Sequence, residues 1–441
     1  MDRSIYNKAV LGWSLYDFAN SAFATTILAV IFNKYFAQVV AGGETGVLIW
    51  GVRIPGAALF GYVLSMSYAV AAFMGPVLGA IADETRAKKR FLGVFCCLGV
   101  VCSALLYFVH TGDVLLGSTL FILANVGFGG GMVFYNAFLT EISNEDNVGR
   151  ISGIGWALGY IGGGLLLALN LVMLEFPHWL GFPAKTFTVG HCFVSVAVWW
   201  GVFALPFFFW VKERRDCTTA RPGSGYLRLG FSRVFETLHH IRQHKEFTKF
   251  LVAYLLFNDG IETVIVFASI FGAAVVGMET HELILFFLVI QGTAFFGSLL
   301  LGFLSDRLGQ KGTLMATLFV WTGVVLWAYF MGFWDLKKEY WILGIVSGTV
   351  LGGSQSIARS MAGRLIPTGR SAEFFGFYAI SGRFAAIFGP ALYSSVITVT
   401  GSMRSGVLSL GILFLAGMIG LSWVRVSKKT GAARFEETLS A

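Results

Sequence analysis

The feature that most constrains this chain is a succession of apolar runs, each about 20 residues or longer, separated by short polar stretches. A run of that length crosses a hydrocarbon core of roughly 30 Å as a helix. Charge is correspondingly scarce, at 13% of residues, against roughly 25% in soluble domains. The 55 glycines among 441 residues suit close helix approach in lipid, where small residues replace the hydrophobic effect as the packing device. Eight prolines are too few for a linker-rich chain. The sequence is that of an all-α polytopic membrane protein.

Six spans are expected in the first part of the chain, at Ala9–Val40, Pro55–Ala82, Phe91–Val109, Val114–Leu139, Ile151–Leu174 and Thr186–Val211. Six more follow at Phe250–Val276, Leu283–Leu304, Thr313–Phe333, Tyr340–Leu365, Phe374–Thr400 and Gly406–Val424. The first run is too long for the apolar region of a signal peptide, and Asp17 and Asn20 interrupt it. The expected organisation is two six-helix halves, 1–211 and 250–426, a basic connection at 212–249 and a tail at 427–441. Within the connection, Phe231, Phe235, Leu238 and Ile241 recur at helical spacing, which predicts a helix on the membrane surface.

Twelve helices put both termini on one side. Loops on that side carry 24 of the 32 lysines and arginines, whereas Arg53, Lys185, Lys337, Lys338 and Arg404 fall opposite. Basic loops stay in the cytoplasm, so both termini and the connection are expected there. The net charge of +8 is thereby a topology signal and calls for no nucleic-acid partner.

One stretch occurs twice. GPVLGAIADETRAKKR at Gly75–Arg90 returns as GSLLLGFLSDRLGQKG at Gly297–Gly312, with Gly79 and Asp83 falling on Gly302 and Asp306 at an offset of 223 residues (306 − 83). The same offset carries Gly129 and Gly130 onto Gly352 and Gly353, and Gly153 and Gly159 onto Gly376 and Gly382. The halves are therefore related copies, each built around one Gly-Asp-basic turn.

Ionisable groups inside the spans are the sharpest functional signal, because each costs about 2.5–3.5 kcal/mol at bilayer depth unless paired or hydrated. Trp13, Asp17 and Asn20 share one face of the first helix, flanked by Tyr16 and Ser21. The seventh helix carries Asn258, Asp259, Glu262 and Thr263, so Asp259 and Glu262 repeat the spacing of Asp17 and Asn20. The tenth adds Arg359, opposite Asn136 at the repeat offset, and the eleventh adds Arg383. Such groups either handle a polar solute and protons or pair and hold the halves in register. For Arg383 a structural ion pair is the preferred reading, since a buried cation needs a permanent partner.

Other chemistry is weakly signalled. Gly153-Ile154-Gly155 and Gly127–Gly131 resemble fragments of phosphate loops but follow no predicted strand, so they read as helix-packing surfaces. No nucleophile-and-base set stands out, and no enzyme activity is expected. His240 and His244 have chelating spacing without a third ligand. Cys96, Cys97, Cys102, Cys192 and Cys217 show neither zinc spacing nor a disulfide framework. No metal or cofactor is expected.

Two six-helix halves, each with a Gly-x-x-x-Asp turn and basic residues after its second helix, resemble the major facilitator superfamily. GFLSDRLGQKG fits that superfamily's loop pattern, whereas GAIADETRAKK has Glu84 where a basic residue is usual and Arg86 where a glycine is usual. WSLYDFANSAFATTI at Trp13–Ile27, FNDGIETV at Phe257–Val264 and EFFGFYAISGR at Glu373–Arg383 resemble its vacuole-effluxer-like branch. Fungal members of that branch are associated with export of amino acids from the vacuole. The resemblance implies a cavity lined by helices one, four, seven and ten, faced by Asp17, Asn136, Asp259 and Arg359. By the superfamily's pseudo-symmetry, Gly79 and Asp83 would meet Arg370, and Gly302 and Asp306 would meet Arg150, as gates on the cytoplasmic side.

The expected function is secondary active transport of a small polar solute, amino acids among the candidates, by alternating access with proton coupling. Trp13, Tyr16, Asp17, Asn20, Asn136, Asn258 and Arg359 are assigned to the solute, and Asp259 and Glu262 to protons. The rivals are a non-transporting receptor or sensor with the same fold and a lipid or drug exporter. The expected location is a bacterial inner (plasma) membrane, with solute, protons and lipid as partners and the oligomeric state left open.

Overall fold

The computed structural model describes residues 7–213 and 244–426, apart from 44, 50, 55, 145, 279, 368, 369 and 401. The expected surface helix, His240 and the tail lie outside the described residues. The first six long helices are α1 (Lys8–Val40), α2 (Gly56–Thr85), α3 (Lys88–Leu105), α4 (Val114–Ile142), α5 (Val148–Glu175) and α6 (Val189–Trp210). The second six are α7 (Lys245–Ala274), α8 (Thr280–Leu308), α9 (Gln310–Phe330), α10 (Leu336–Leu365), α11 (Ser371–Thr400) and α12 (Met403–Ser422). Eleven contain stretches long and apolar enough to cross a membrane by length and composition. The twelfth, α11, spans 30 residues with Pro390 inside it.

Several helices begin earlier than their apolar runs. α3 starts at Lys88 and α7 at Lys245, because lysine and glutamate are good helix formers whose long stems reach polar surroundings from a helix end. α1 changes character along its length: Phe23–Val30 and Phe36–Val40 are wound as π-helix, with the Ile31 N–H donating to Thr26 O at 2.7 Å. The loop after α1 departs from the all-α expectation through a hairpin of β1 (Val47–Ile49) and β2 (Val52–Ile54), antiparallel with Leu48 opposite Arg53. Gly51 supplies the left-handed backbone of its turn at φ 82°.

Helices approach closely where glycine replaces side chains. A Cβ at Gly162 of α5 would stand 2.1 Å from Phe18 O of α1, so nothing larger fits. The repeat appears in space at the joint between halves. Gly153 of α5 lies on α8, where a Cβ would be 2.4 Å from Ser298 O, and Gly376 of α11 lies on α2, 2.7 Å from Pro76 N. The two glycines matched by the offset thus make the two equivalent crossings. Aromatic rings fill each half, for example Phe32 stacked on Phe121 at 5.2 Å and Trp321 on Phe414 at 5.7 Å.

Candidate functional site

The polar face of α1 meets α10 of the other half through one buried ion pair. Asp17 is 3% exposed and Arg359 1% exposed. Arg359 Nη1 donates to Asp17 Oδ2 at 2.9 Å, and the Tyr135 hydroxyl of α4 donates to the same oxygen at 3.0 Å. Arg359 Nε donates to Ser152 Oγ at 3.0 Å and its Nη2 to Ser152 O at 2.7 Å, both on α5. The Ser152 hydroxyl in turn donates to Ser356 O at 2.8 Å.

Aromatic rings enclose the guanidinium. Its carbon lies 4.9 Å from the Trp13 ring centroid and 5.1 Å from that of Trp156. Trp13 is itself fixed, stacked on Tyr135 at 4.6 Å with its indole N–H donating to Tyr135 O at 2.9 Å. Gly155 makes room: a Cβ there would be 2.8 Å from Arg359 Nη2. One cation is thus held by a carboxylate, a serine and a ring cage, all supplied by the first half. Burial without such partners would be prohibitive.

The remaining candidates are placed as follows. Asn20 Nδ2 lies 3.1 Å from Met132 Sδ. Asn136 and Asn258 are buried, and Asn136 Oδ1 has no hydrogen-bond partner. Tyr16 points into the core of the first half, between Tyr135 at 5.2 Å and Phe207 at 5.5 Å. Asp259 of α7 is fully buried and directed to α11 of its own half, where its Oδ2 accepts the Gly389 N–H at 2.6 Å. Its Oδ1 has no hydrogen-bond partner. Glu262, one turn on, is half-buried. The side chain of Arg383 lies outside the described residues.

The repeated turns seat their aspartates on helix starts of the opposite half. Asp306 accepts the Gly149 N–H at 2.8 Å through Oδ1 and the Arg150 N–H at 2.9 Å through Oδ2, with Arg150 Nε at 3.9 Å. Asp83 accepts the Glu373 N–H at 2.9 Å, at the start of α11. The expected Asp83–Arg370 meeting takes a different form, because Arg370 is gripped by Glu373 at 2.9 and 3.0 Å. The cation at Asp83 is Lys88, at 3.6 Å, which also contacts Glu141 and donates to Ser371 Oγ at 3.2 Å. A carboxylate is well placed at a helix start, where N–H groups and the helix dipole both favour negative charge. Gly79 and Gly302 allow this seating, since a Cβ would be 2.5 Å from Ala372 O and 2.8 Å from Gly149 O respectively.

Residues beyond the sequence candidates complete both sites: Tyr135, Ser152 and Trp156 around Arg359, and Lys88, Glu141 and Glu373 around Asp83. Tyr160, whose hydroxyl donates to Gln355 Oε1, adds a further link between α5 and α10. Just before α7, His244 packs edge-on against Phe374 at 4.9 Å. Burial, and then the Arg370 guanidinium, push its imidazole below the usual histidine range.

Two related six-helix bundles, crossed by aspartate turns and a buried ion pair, define a transporter of the major facilitator superfamily. The proton:xylose symporter XylE, bound to 6-bromo-6-deoxy-D-glucose, shares this fold, with a TM-score of 0.68 over 96% of each chain at 12% identity. Within the superfamily, residues 6–434 match the family described as vacuole effluxer Atg22 like, and the chain belongs to that family. It is 31% identical over 435 residues to the MFS-type transporter YxiO of Bacillus subtilis (strain 168), covering 98% of this chain and 99% of that one. It is also 25% identical over 461 residues to autophagy-related protein 22-1 of Penicillium rubens, covering 86% of this chain and 77% of that one.

Proposed function

We propose that the protein moves a small zwitterionic solute of the amino-acid kind by alternating access, driven by protons. The observation that supports this reading best is the Asp17–Arg359 pair, one charge from each half, at 2.9 Å. A solute bearing an ammonium and a carboxylate offers each member a replacement partner. Binding would then exchange one bond between the halves for two bonds to solute, which lets occupancy control whether the halves stay joined. The family's description as an effluxer agrees with transport of this kind. A charged, ring-caged face suits a polar solute better than a lipid tail, and transport better than sensing alone.

Asp259 is the proposed proton site. Its Oδ1 is a buried acceptor without a partner, Glu262 stands one turn away, and no arginine is committed to it among the described contacts. The halves 1–211 and 250–426 would move as units about the connection 212–249. By the distribution of basic residues, the end bearing the turns faces the cytoplasm of a bacterial plasma membrane. In this reading the seating of Asp83 and Asp306 closes that side and must break for it to open.

In proteoliposomes, Asp259→Asn is expected to abolish gradient-driven accumulation and to spare solute exchange, which moves no net proton. Asp17→Asn should weaken both. Accumulation by Asp259→Asn with unchanged pH dependence would remove Asp259 from coupling. Orientation is checked with single cysteines at Lys245 and Lys338 in a cysteine-free background. In intact cells an impermeant thiol reagent should label only position 338, and the reverse pattern would invert the topology.

A further inference from the structure

The ion pair between the halves has a neutral counterpart one helical turn away. On α5, Tyr160 stands one turn beyond Trp156, and on α10, Gln355 stands one turn before Arg359. The two helices are therefore joined by two rungs. In one, the Trp156 ring covers the Arg359 guanidinium, with 5.1 Å from ring centroid to carbon. In the other, the Tyr160 hydroxyl donates to Gln355 Oε1. The rungs pack on each other, since the Trp156 and Tyr160 rings are 5.9 Å apart at 33°.

The rungs differ in what can reach them. Asp17 and Arg359 are sealed, and along α10 every residue from Val350 to Ala362 is buried except Gln355. Along α7 the run from Phe257 to Thr263 is buried except Glu262, and Tyr160 of α5 is half-buried as well. Gln355 reaches across to the other half, so the surface it leaves open lies between the halves and not against lipid. The charged groups that act on the Tyr160 hydroxyl are Glu262 of α7, then Asp17 of α1 and Arg359 of α10. A hydroxyl, a carboxamide and a carboxylate from three helices thus border one space beside the sealed ion pair.

We infer that Tyr160 and Gln355 bind the side chain of the solute, and that this side chain is an uncharged group with both a donor and an acceptor, a carboxamide or a hydroxyl. The inference rests on the amino-acid reading above, in which Asp17 and Arg359 take the ammonium and the carboxylate. Such a side chain replaces the neutral rung as the zwitterion replaces the ion pair. Its oxygen accepts from the Tyr160 hydroxyl, and its N–H or O–H donates to Gln355 Oε1. Gln355 and Arg359 are about 6 Å apart along α10, so one small molecule can touch both. An apolar side chain offers neither bond, so it stops short of the rung or parts Tyr160 from Gln355 without replacing either partner. A carboxylate side chain lacks the donor and meets ionised Glu262 as a like charge.

Sets of near-isosteric amino acids provide the test: asparagine with leucine and aspartate, glutamine with methionine and glutamate, and threonine with valine. Each is titrated into the purified full chain, and the saturable rise in melting temperature gives its affinity. In at least one set the carboxamide or hydroxyl member should bind tightest, by about tenfold or more. Tyr160→Phe keeps a ring on Trp156 but leaves the solute oxygen without a donor. It should lower the preference for that member over its apolar isostere by about tenfold. Should that variant not fold, Gln355→Met removes the acceptor at similar length and is expected to lower the same preference. A parent that binds the apolar or acidic members as tightly, or folded variants that keep the parental preference, overturns the side-chain assignment and leaves the zwitterion reading standing. Absence of binding by every amino acid in the sets removes the zwitterion reading and this inference with it.

Discussion

Asp17 and Asp259 sit on the first helix of each half, yet they are bonded in opposite ways. Asp17 receives Arg359 of the other half and Tyr135 of its own, whereas Asp259 receives one backbone N–H of its own half. The turns differ too. Asp306 accepts two N–H groups from the start of α5, and Asp83 accepts one at the start of α11 with Lys88 alongside. The two halves share their backbone crossings and differ in what their side chains hold. In this reading the first-half carboxylate fastens the bundle and the second-half carboxylate stays open to exchange a proton.

The largest effect expected from that division is on stability at Asp17. Asp17→Asn leaves Arg359 buried against a neutral group, and breaking a buried pair costs about 3–5 kcal/mol. Asp259→Asn keeps an oxygen for the Gly389 N–H and should cost about 1 kcal/mol or less. Thermal melting of the two variants measures the contrast directly. Combining Asp17→Asn with Arg359→Gln should recover part of the lost stability but none of the transport. Equal losses at Asp17 and Asp259 would erase the distinction between fastening and open carboxylates.

A smaller effect is expected at the turns. Asparagine at 306 has one oxygen for two N–H groups and turns its own NH₂ toward one of them, which removes a charge-assisted bond of about 1.5–3 kcal/mol. Asparagine at 83 still accepts the Glu373 N–H, and Lys88 keeps Glu141. Asp306→Asn should therefore open the turn-bearing end in a larger fraction of molecules than Asp83→Asn, by about tenfold for each 1.4 kcal/mol of difference. Distances between spin labels on the two halves would show it. An equal or reversed shift would mean that the Lys88 cluster, and not the helix-start contacts, sets closure.

Much of this was legible in the residues. Apolar length located the twelve long helices among the described residues, since crossing lipid demands it, and the 223-residue offset matched the glycines and aspartates that meet across the halves. Side-chain partners were less accessible. The cost of burying a charge marks Asp17 and Arg359 as needing company, but nothing in spacing says that they need each other. Tyr16 and Trp13 lie three residues apart and look alike in sequence; only packing sends Tyr16 to Phe207 and Trp13 to Arg359. Ser152 was hidden beside conspicuous glycines, and Glu373 competes with Asp83 for Arg370 because it lies one helical turn along the same chain. The hairpin at Val47–Ile54 is too short for a period-two pattern to declare itself.

The smallest expected effect separates the two junctions by pH. His244 packs on Phe374 beside Arg370 and Glu373 at the Asp83 junction, and no histidine is among the described neighbours of Asp306. Burial and Arg370 hold the folded-state pKa of His244 below the unfolded value of about 6.5, with Glu373 opposing them. The folded protein consequently binds fewer protons in the window just below about pH 6.5. Stability from this group is complete above that pH and is lost as the pH falls through the folded value. His244→Phe keeps an aromatic ring against Phe374 and cannot titrate. Its melting temperature should fall less than the parent's between about pH 7.5 and about pH 5.5, a range that spans histidine titration. A parental slope in His244→Phe would place the acid sensitivity in another group and leave the two junctions alike in their response to pH.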